Sequence, residues 1–132
     1  PYGDHYLMGV GVSADESGRA TGIKVSLYDF SSPREISKVS EVELPNQYSE
    51  ALWTHHAFTF NPTRNYVAFP VWSGVAVIGV QDATLTLKGV VQIDEARRGI
   101  YIGNYIYALG SGIVVVDDSS LEVAAKTPLE KP

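Results

Sequence analysis

The residues of this chain with chemistry to offer are its histidines, its tryptophans and one acidic loop. Adjacent His55 and His56, with Glu50 nearby, supply the nitrogen and oxygen donors that suit Zn²⁺. Neighbouring residues on a strand point to opposite sides, so only one of the pair can face a common site. His5 opens a different strand, which prevents a three-histidine cluster. The expected role of His56 is therefore structural, a hydrogen bond to loop backbone at the head of its strand, and no metal or other cofactor is expected. Ser49 beside Glu50 invites a hydrolase reading. A serine nucleophile needs a strained elbow and an oriented base, and Tyr48-Ser49-Glu50-Ala51 has no flanking glycine. Ser49 reads as a turn or capping residue. Asp15-Glu16-Ser17 lacks the alternating oxygen ligands of a calcium loop and reads as a solvated tip. Gly9-Val10-Gly11 has no helix after it to receive a phosphate, so its glycines are expected to let another sheet pack closely. No catalytic residue emerges, and the expectation is a protein that is not an enzyme.

The aromatic residues are more promising. Trp53, Trp72 and Tyr48 offer flat apolar surfaces for a sugar ring or for a protein partner's anchor residue. Glu50, His55, Arg97 and Arg98 would add charge-assisted hydrogen bonds to the same surface. These seven residues form the candidate ligand-binding set. The competing reading is that Trp53 pins a long loop to the molecule and Trp72 plugs a seam between sheets.

Composition removes several classes of partner. Ten Lys plus Arg against 15 Asp plus Glu give a net charge of −5, and the adjacent Arg97 and Arg98 are the densest positive spot. Nucleic-acid binding needs a basic stripe to neutralise phosphates, so it is not expected. The absence of cysteine excludes disulfides and thiolate metal sites but leaves the compartment open. The longest apolar runs are strand-sized, so no membrane-spanning helix is expected.

What must position these groups is a set of short strands. Gly, Pro, Asn and Asp punctuate the chain every few residues, with Val, Ile, Tyr and Phe between them. The pattern predicts strands at 6–12, 23–30, 36–44, 56–60, 66–71, 75–80, 84–93, 99–102, 105–109, 113–116 and 121–127. Asn65-Tyr66-Val67-Ala68-Phe69, a turn and Gly74-Val75-Ala76-Val77-Ile78 recur as Asn104-Tyr105-Ile106-Tyr107-Ala108, a turn and Gly112-Ile113-Val114-Val115-Val116. A repeat of about 40 residues built only of short apolar strands marks a radial β array, a propeller. The fold class expected is all-β: a fragment of about three blades of four-stranded antiparallel sheet. Residues 5–45 would form a blade lacking its innermost strand, followed by blades at 46–95 and 96–132. At 132 residues the chain is too short for a closed ring, since four blades need roughly 160. It opens on Pro1 inside a turn and reads as part of a longer protein.

Strand alternation assigns the loops to faces. Connections between blades, and from second to third strand, emerge on one side. That side collects the only long loops, 13–21 and 45–55, together with Trp72-Ser73, residues 94–98 and Gly110-Ser111. Minimal turns occupy the other side: 31–35, 61–65, 81–83, Gly103-Asn104 and 117–120. Length beyond structural need is where binding function tends to sit.

With the blades in place, the strings GDHYLMGVG (3–11), TGIKVSLYDFSSP (21–33), YSEALWTHHAFTFNPTRNYVAFPV (48–71) and RRGIYIGNYIYALG (97–110) resemble the β-propeller domain at the C-terminus of secreted prokaryotic proteins, distantly akin to WD-repeat propellers. The most specific block is 49–58. The resemblance implies a propeller fold and extracellular or cell-surface display, and it brings no catalytic residue to any position here. The expected function is a non-catalytic extracellular scaffold or recognition module, binding a protein or carbohydrate on its loop face. The alternative is a binding domain that supports an enzymatic or metal site elsewhere in the full-length protein. A run of three blades should also leave an apolar face at each end. Self-association through two copies closing a ring of about six blades, or the remaining blades of the parent chain, would cover them.

Overall fold

The computed structural model describes residues 6–32, 34–45, 47 and 58–128. Eleven strands stand among them: β1 (Tyr6–Ala14), β2 (Ala20–Ser32), β3 (Glu35–Pro45), β4 (Thr59–Asn61), β5 (Tyr66–Val71), β6 (Gly74–Gln81), β7 (Thr84–Gln92), β8 (Arg98–Ile102), β9 (Tyr105–Leu109), β10 (Gly112–Asp117) and β11 (Val123–Pro128). They form three antiparallel sheets in the orders β1-β2-β3, β4-β5-β6-β7 and β8-β9-β10-β11. Each sheet is a meander in chain order, as a propeller blade requires. We refer to the sheets as blades 1, 2 and 3.

The tight connections follow from local chemistry. Asp82 (φ 50°) and Ala83 (φ 59°) make the two-residue link from β6 to β7. Two left-handed residues in succession give the hairpin turn whose twist matches that of its strands. Gly103 (φ 60°) opens the equally short β8–β9 link. The acidic loop closes on itself. Asp15 Oδ1 accepts from the Ser17 amide (3.0 Å), the Ser17 hydroxyl (2.7 Å) and the Arg19 amide (3.0 Å). These bonds hold the Asp15 carboxyl below its ordinary range, the Ser17 hydroxyl foremost.

Blade 2 is covered on both faces, which explains why β5 and β6 have no polar alternation. Val67, Phe69, Val71, Ala76, Ile78 and Val80 point at blade 1 and pack with Ile23, Val25, Leu27 and Leu44. The alternate residues Tyr66, Ala68, Val75 and Val77 point at blade 3 and pack with Ile106, Ala108, Val114 and Val116. Near the inner strands this second seam is tight. A Cβ on Gly99 would lie 2.9 Å from Val75 Cγ1, and the Thr59 hydroxyl donates to the Gly99 carbonyl at 2.5 Å. On the other seam the Leu85 amide donates to Ser40 Oγ at 2.8 Å.

The two ends of the stack differ, and here the expectation of an apolar face at each end needs correction. Register places Lys24, Ser26 and Tyr28 of β2 beside Glu43, Glu41 and Lys38 of β3 on the outer side of blade 1. Glu41 accepts from Lys38 at 3.0 Å and lies 3.9 Å from Lys24. That end is mainly polar and carries these ion pairs, with Leu7 beside Tyr28 as an exposed apolar residue. The outer side of blade 3 presents Ile100, Tyr107 and Val115 in one row across the sheet, flanked by Leu109, Ile113, Ile102 and Tyr105. That end is apolar. The reading of Gly9 and Gly11 is corrected too. Added Cβ atoms would meet Tyr28 at 3.7 Å and Lys24 at 3.9 Å, ordinary contacts, so no close sheet approach demands glycine.

Candidate recognition face

On the loop side, backbone hydrogen bonds tie the turns of blades 2 and 3 into one rim. Gln47 grips the β5–β6 turn with both ends of its amide: Nε2 donates to Ser73 Oγ (2.8 Å) and Oε1 accepts from the Ser73 amide (3.2 Å). The Ser73 carbonyl in turn accepts from the Ile93 amide at 3.3 Å. One residue on, the Asp94 carbonyl accepts from the Ser111 amide at 2.8 Å, and the Arg97 amide donates to the Leu109 carbonyl at 2.8 Å. Two glycines make this rim sterically possible. A Cβ on Gly74 would fall 1.9 Å from the Val91 carbonyl oxygen, and one on Gly110 would fall 2.5 Å from that of Asp94.

With Ser73 held at both its amide and its carbonyl, the neighbouring Trp72 projects into solvent. It is 78% exposed, the highest value among the exposed large hydrophobic residues described. This overturns its reading as a plug in the seam between blades. The β5–β6 turn is too short, and too firmly tied to β7, to fold an indole back between the sheets.

Beside Ser73 the outer strands of blades 2 and 3 fan apart, as strands in a radial array must. They leave a cleft of about 620 Å³, lined among others by Gln92, Asp94, Ser111, Lys126 and Thr127. Amide, carboxylate, hydroxyl and ammonium groups thus share a concave, partly apolar site, the mixture that orients a small polar ligand. Arg97 and Arg98 are exposed on the connection into blade 3, near the same rim. Trp72, Arg97 and Arg98 therefore share the loop face, as strand alternation predicts. Tyr48, Glu50, Trp53 and His55 lie outside the described residues, as do Ser49 and His56.

Sequence reasoning missed the polar network on the opposite face. Arg64, in the β4–β5 turn of blade 2, forms a two-pronged ion pair with Asp118, in the β10–β11 turn of blade 3. The longer prong, Nη2 to Oδ1, measures 2.7 Å. Asp118 is 2% exposed, and its carbonyl also accepts from Lys88 Nζ of β7. The hydrogen bonds that Arg64 donates to the Asp118 carboxylate raise the Arg64 pKa. Beside the pair, Asn61 Nδ2 donates to the Tyr66 hydroxyl at 3.2 Å, and burial pushes the Tyr66 phenol up. Next in the turn, Asp117 accepts from the Ser119 hydroxyl and from the Ser119 and Ser120 amides, which lowers its pKa to about 2. This network clamps blade 2 to blade 3. The only sequence signal was an Asp-Asp pair in a turn, which polar turns produce routinely.

A three-sheet radial stack with this blade repeat defines a propeller, and the comparison with known families agrees. The beta propeller domain model matches residues 1–121, and the chain belongs to that family. It is also 30% identical over 115 residues to an uncharacterized protein of Archaeoglobus fulgidus (strain ATCC 49558 / DSM 4304 / JCM 9628 / NBRC 100126 / VC-16). That match covers 86% of this chain and 18% of the relative's length. No solved structure matches it. Among the described residues, no helix is long and apolar enough to cross a membrane.

Proposed function

We propose that this chain is a non-catalytic recognition module, displayed outside the cell, that holds a carbohydrate or protein ligand on its loop face at the cleft between blades 2 and 3. One observation supports the reading above others: a tryptophan held out in water beside a polar cleft. Leaving an indole 78% exposed forfeits most of the gain from burying an apolar side chain, roughly 1.5–3 kcal/mol. Ligand stacking would recover it. A saccharide fits better than a protein surface. Protein anchor sites gather several apolar residues around a dry centre. The cleft that begins at Ser73, next in the chain to Trp72, is instead lined by Gln92, Asp94, Ser111 and Thr127, whose polar groups suit sugar hydroxyls. Extracellular display is supported by the resemblance to domains of secreted prokaryotic proteins.

The test is a binding survey of the chain on an array of plant, fungal and bacterial oligosaccharides, alongside pulldown from surface-protein extracts. Wild type should retain a saccharide that Trp72→Ala and Asp94→Asn both lose, with circular dichroism unchanged. A ligand that binds all three proteins equally well would sink the assignment of the site.

A further inference from the structure

The seam between blades 1 and 2 and the seam between blades 2 and 3 follow one plan, so they can be compared position by position. Gly22-Ile23-Lys24-Val25, Gly74-Val75-Ala76-Val77 and Gly112-Ile113-Val114-Val115 stand at equivalent places in β2, β6 and β10, the strand before the outermost one in successive blades. In the first seam Val42, the β3 partner of Val25, and Val90, the β7 partner of Ala76, both pack into the apolar cluster. In the second seam the corresponding partners are Gly89, opposite Val77, and Lys126, opposite Val114. A glycine and a lysine thus stand where the first seam has two valines, and beside them the sheets part to form the cleft. Both walls of the cleft, β7 on one side and β10 with β11 on the other, belong to the chain itself.

On the basis of the loop-face saccharide site proposed above, we infer that the saccharide is acidic and sets a carboxylate or sulfate group against Lys126. Cross-strand partners share a sheet face, so Lys126 faces blade 2 as Val114 does. It borders the mouth of the cleft together with Ser73, Asp94 and Ser111. It also borders an adjoining cavity of about 270 Å³ lined by Val91, Val114, Val116 and Leu121. Among the described residues no ion pair joins Lys126 to a carboxylate, Asp94 included. The amide, hydroxyl and carboxylate groups of the mouth already serve the hydroxyls of a neutral sugar. An ammonium at the edge of an apolar cavity adds what those groups lack: a charge-assisted hydrogen bond to an anion, roughly twice as strong as a neutral one. Asp94 lines the mouth but not the adjoining cavity. It can accept from sugar hydroxyls there while the anion lies on the cavity side, against Lys126.

The test compares matched ligands by calorimetry: a uronate oligosaccharide with its carboxyl-reduced form, and a sulfated oligosaccharide with its desulfated form. Wild type should bind the acidic member of one pair about 10- to 100-fold more tightly than its neutral counterpart. The pair that shows the preference identifies the anionic group. Lys126→Gln should erase the preference and leave the neutral form bound as before, and Lys126→Arg should retain it. Trp72→Ala should weaken both members of the pair. Neutral saccharides bound as tightly as acidic ones would overturn the inference and leave the recognition site standing. An acidic preference that survives Lys126→Gln would overturn it too, by placing the anion elsewhere. No binding of any saccharide would defeat both the site and the inference.

Discussion

Val77 and Val115 occupy equivalent positions in the repeat, carry identical side chains and differ only in what lies above them. Val77 is 0% exposed in the seam between blades 2 and 3, whereas Val115 is half-buried on the open face. Val→Ala removes two methyl groups whose burial is worth about 0.8 kcal/mol each. At Val77 the full transfer term applies, and the packed sheet opposite cannot collapse into the space, so a cavity penalty adds to it. The expected cost is about 2–3 kcal/mol. At Val115 half the transfer term applies and water fills the gap, so the cost should stay below about 1 kcal/mol. Urea unfolding followed by far-ultraviolet circular dichroism reads both. It must be run dilute, at a concentration where any dimer has dissociated. Trp72 fluorescence is a poor substitute, because this exposed indole sees water in both states. Equal costs for the two variants under dilute conditions would refute the packing argument, whatever their size.

Phe69→Ala, which empties the blade 1 side of blade 2 beneath the Phe58 ring 5.3 Å away, should cost about 3–5 kcal/mol by the same assay. Gly74→Ala should abolish soluble folded protein, because its Cβ would occupy the space of the Val91 carbonyl; normal expression and an unchanged spectrum would contradict the turn geometry. The Asp117 carboxyl, lowered from 3.8 to about 2 by the Ser119 hydroxyl and neighbouring amides, stabilises the fold fully above pH 4, and this contribution is lost as pH falls through about 2. Ser119→Ala should raise that pKa and move acid unfolding to higher pH; an unshifted carboxyl titration by NMR would count against the turn. Asp15→Ala breaks three hydrogen bonds at an exposed loop tip but no contact between sheets, so it should shift the unfolding midpoint much less than Val77→Ala.

Most of the architecture was legible in the chain because a propeller blade is a local object. Each strand pairs with its sequence neighbour, so hydrophobic runs and turn residues are enough to define a sheet. The repeat from Asn65 to Asn104 then fixes how successive sheets correspond. Strand alternation also placed Trp72, Arg97 and Arg98 on the loop face. What the chain could not show was how surfaces meet across sheets. A valine in β6 and its counterpart in β10 look alike on paper, yet one is sealed in a seam and the other faces outward. Trp72 reads equally well as plug or platform until the Gln47–Ser73 bonds fix its turn. Arg64 and Asp118 are two unremarkable turn residues until the stacking of blades 2 and 3 brings them together. Sequence period determines the pairing within a sheet; burial, exposure and ion pairing between sheets depend on contacts distant along the chain, and only the tertiary structure decides them.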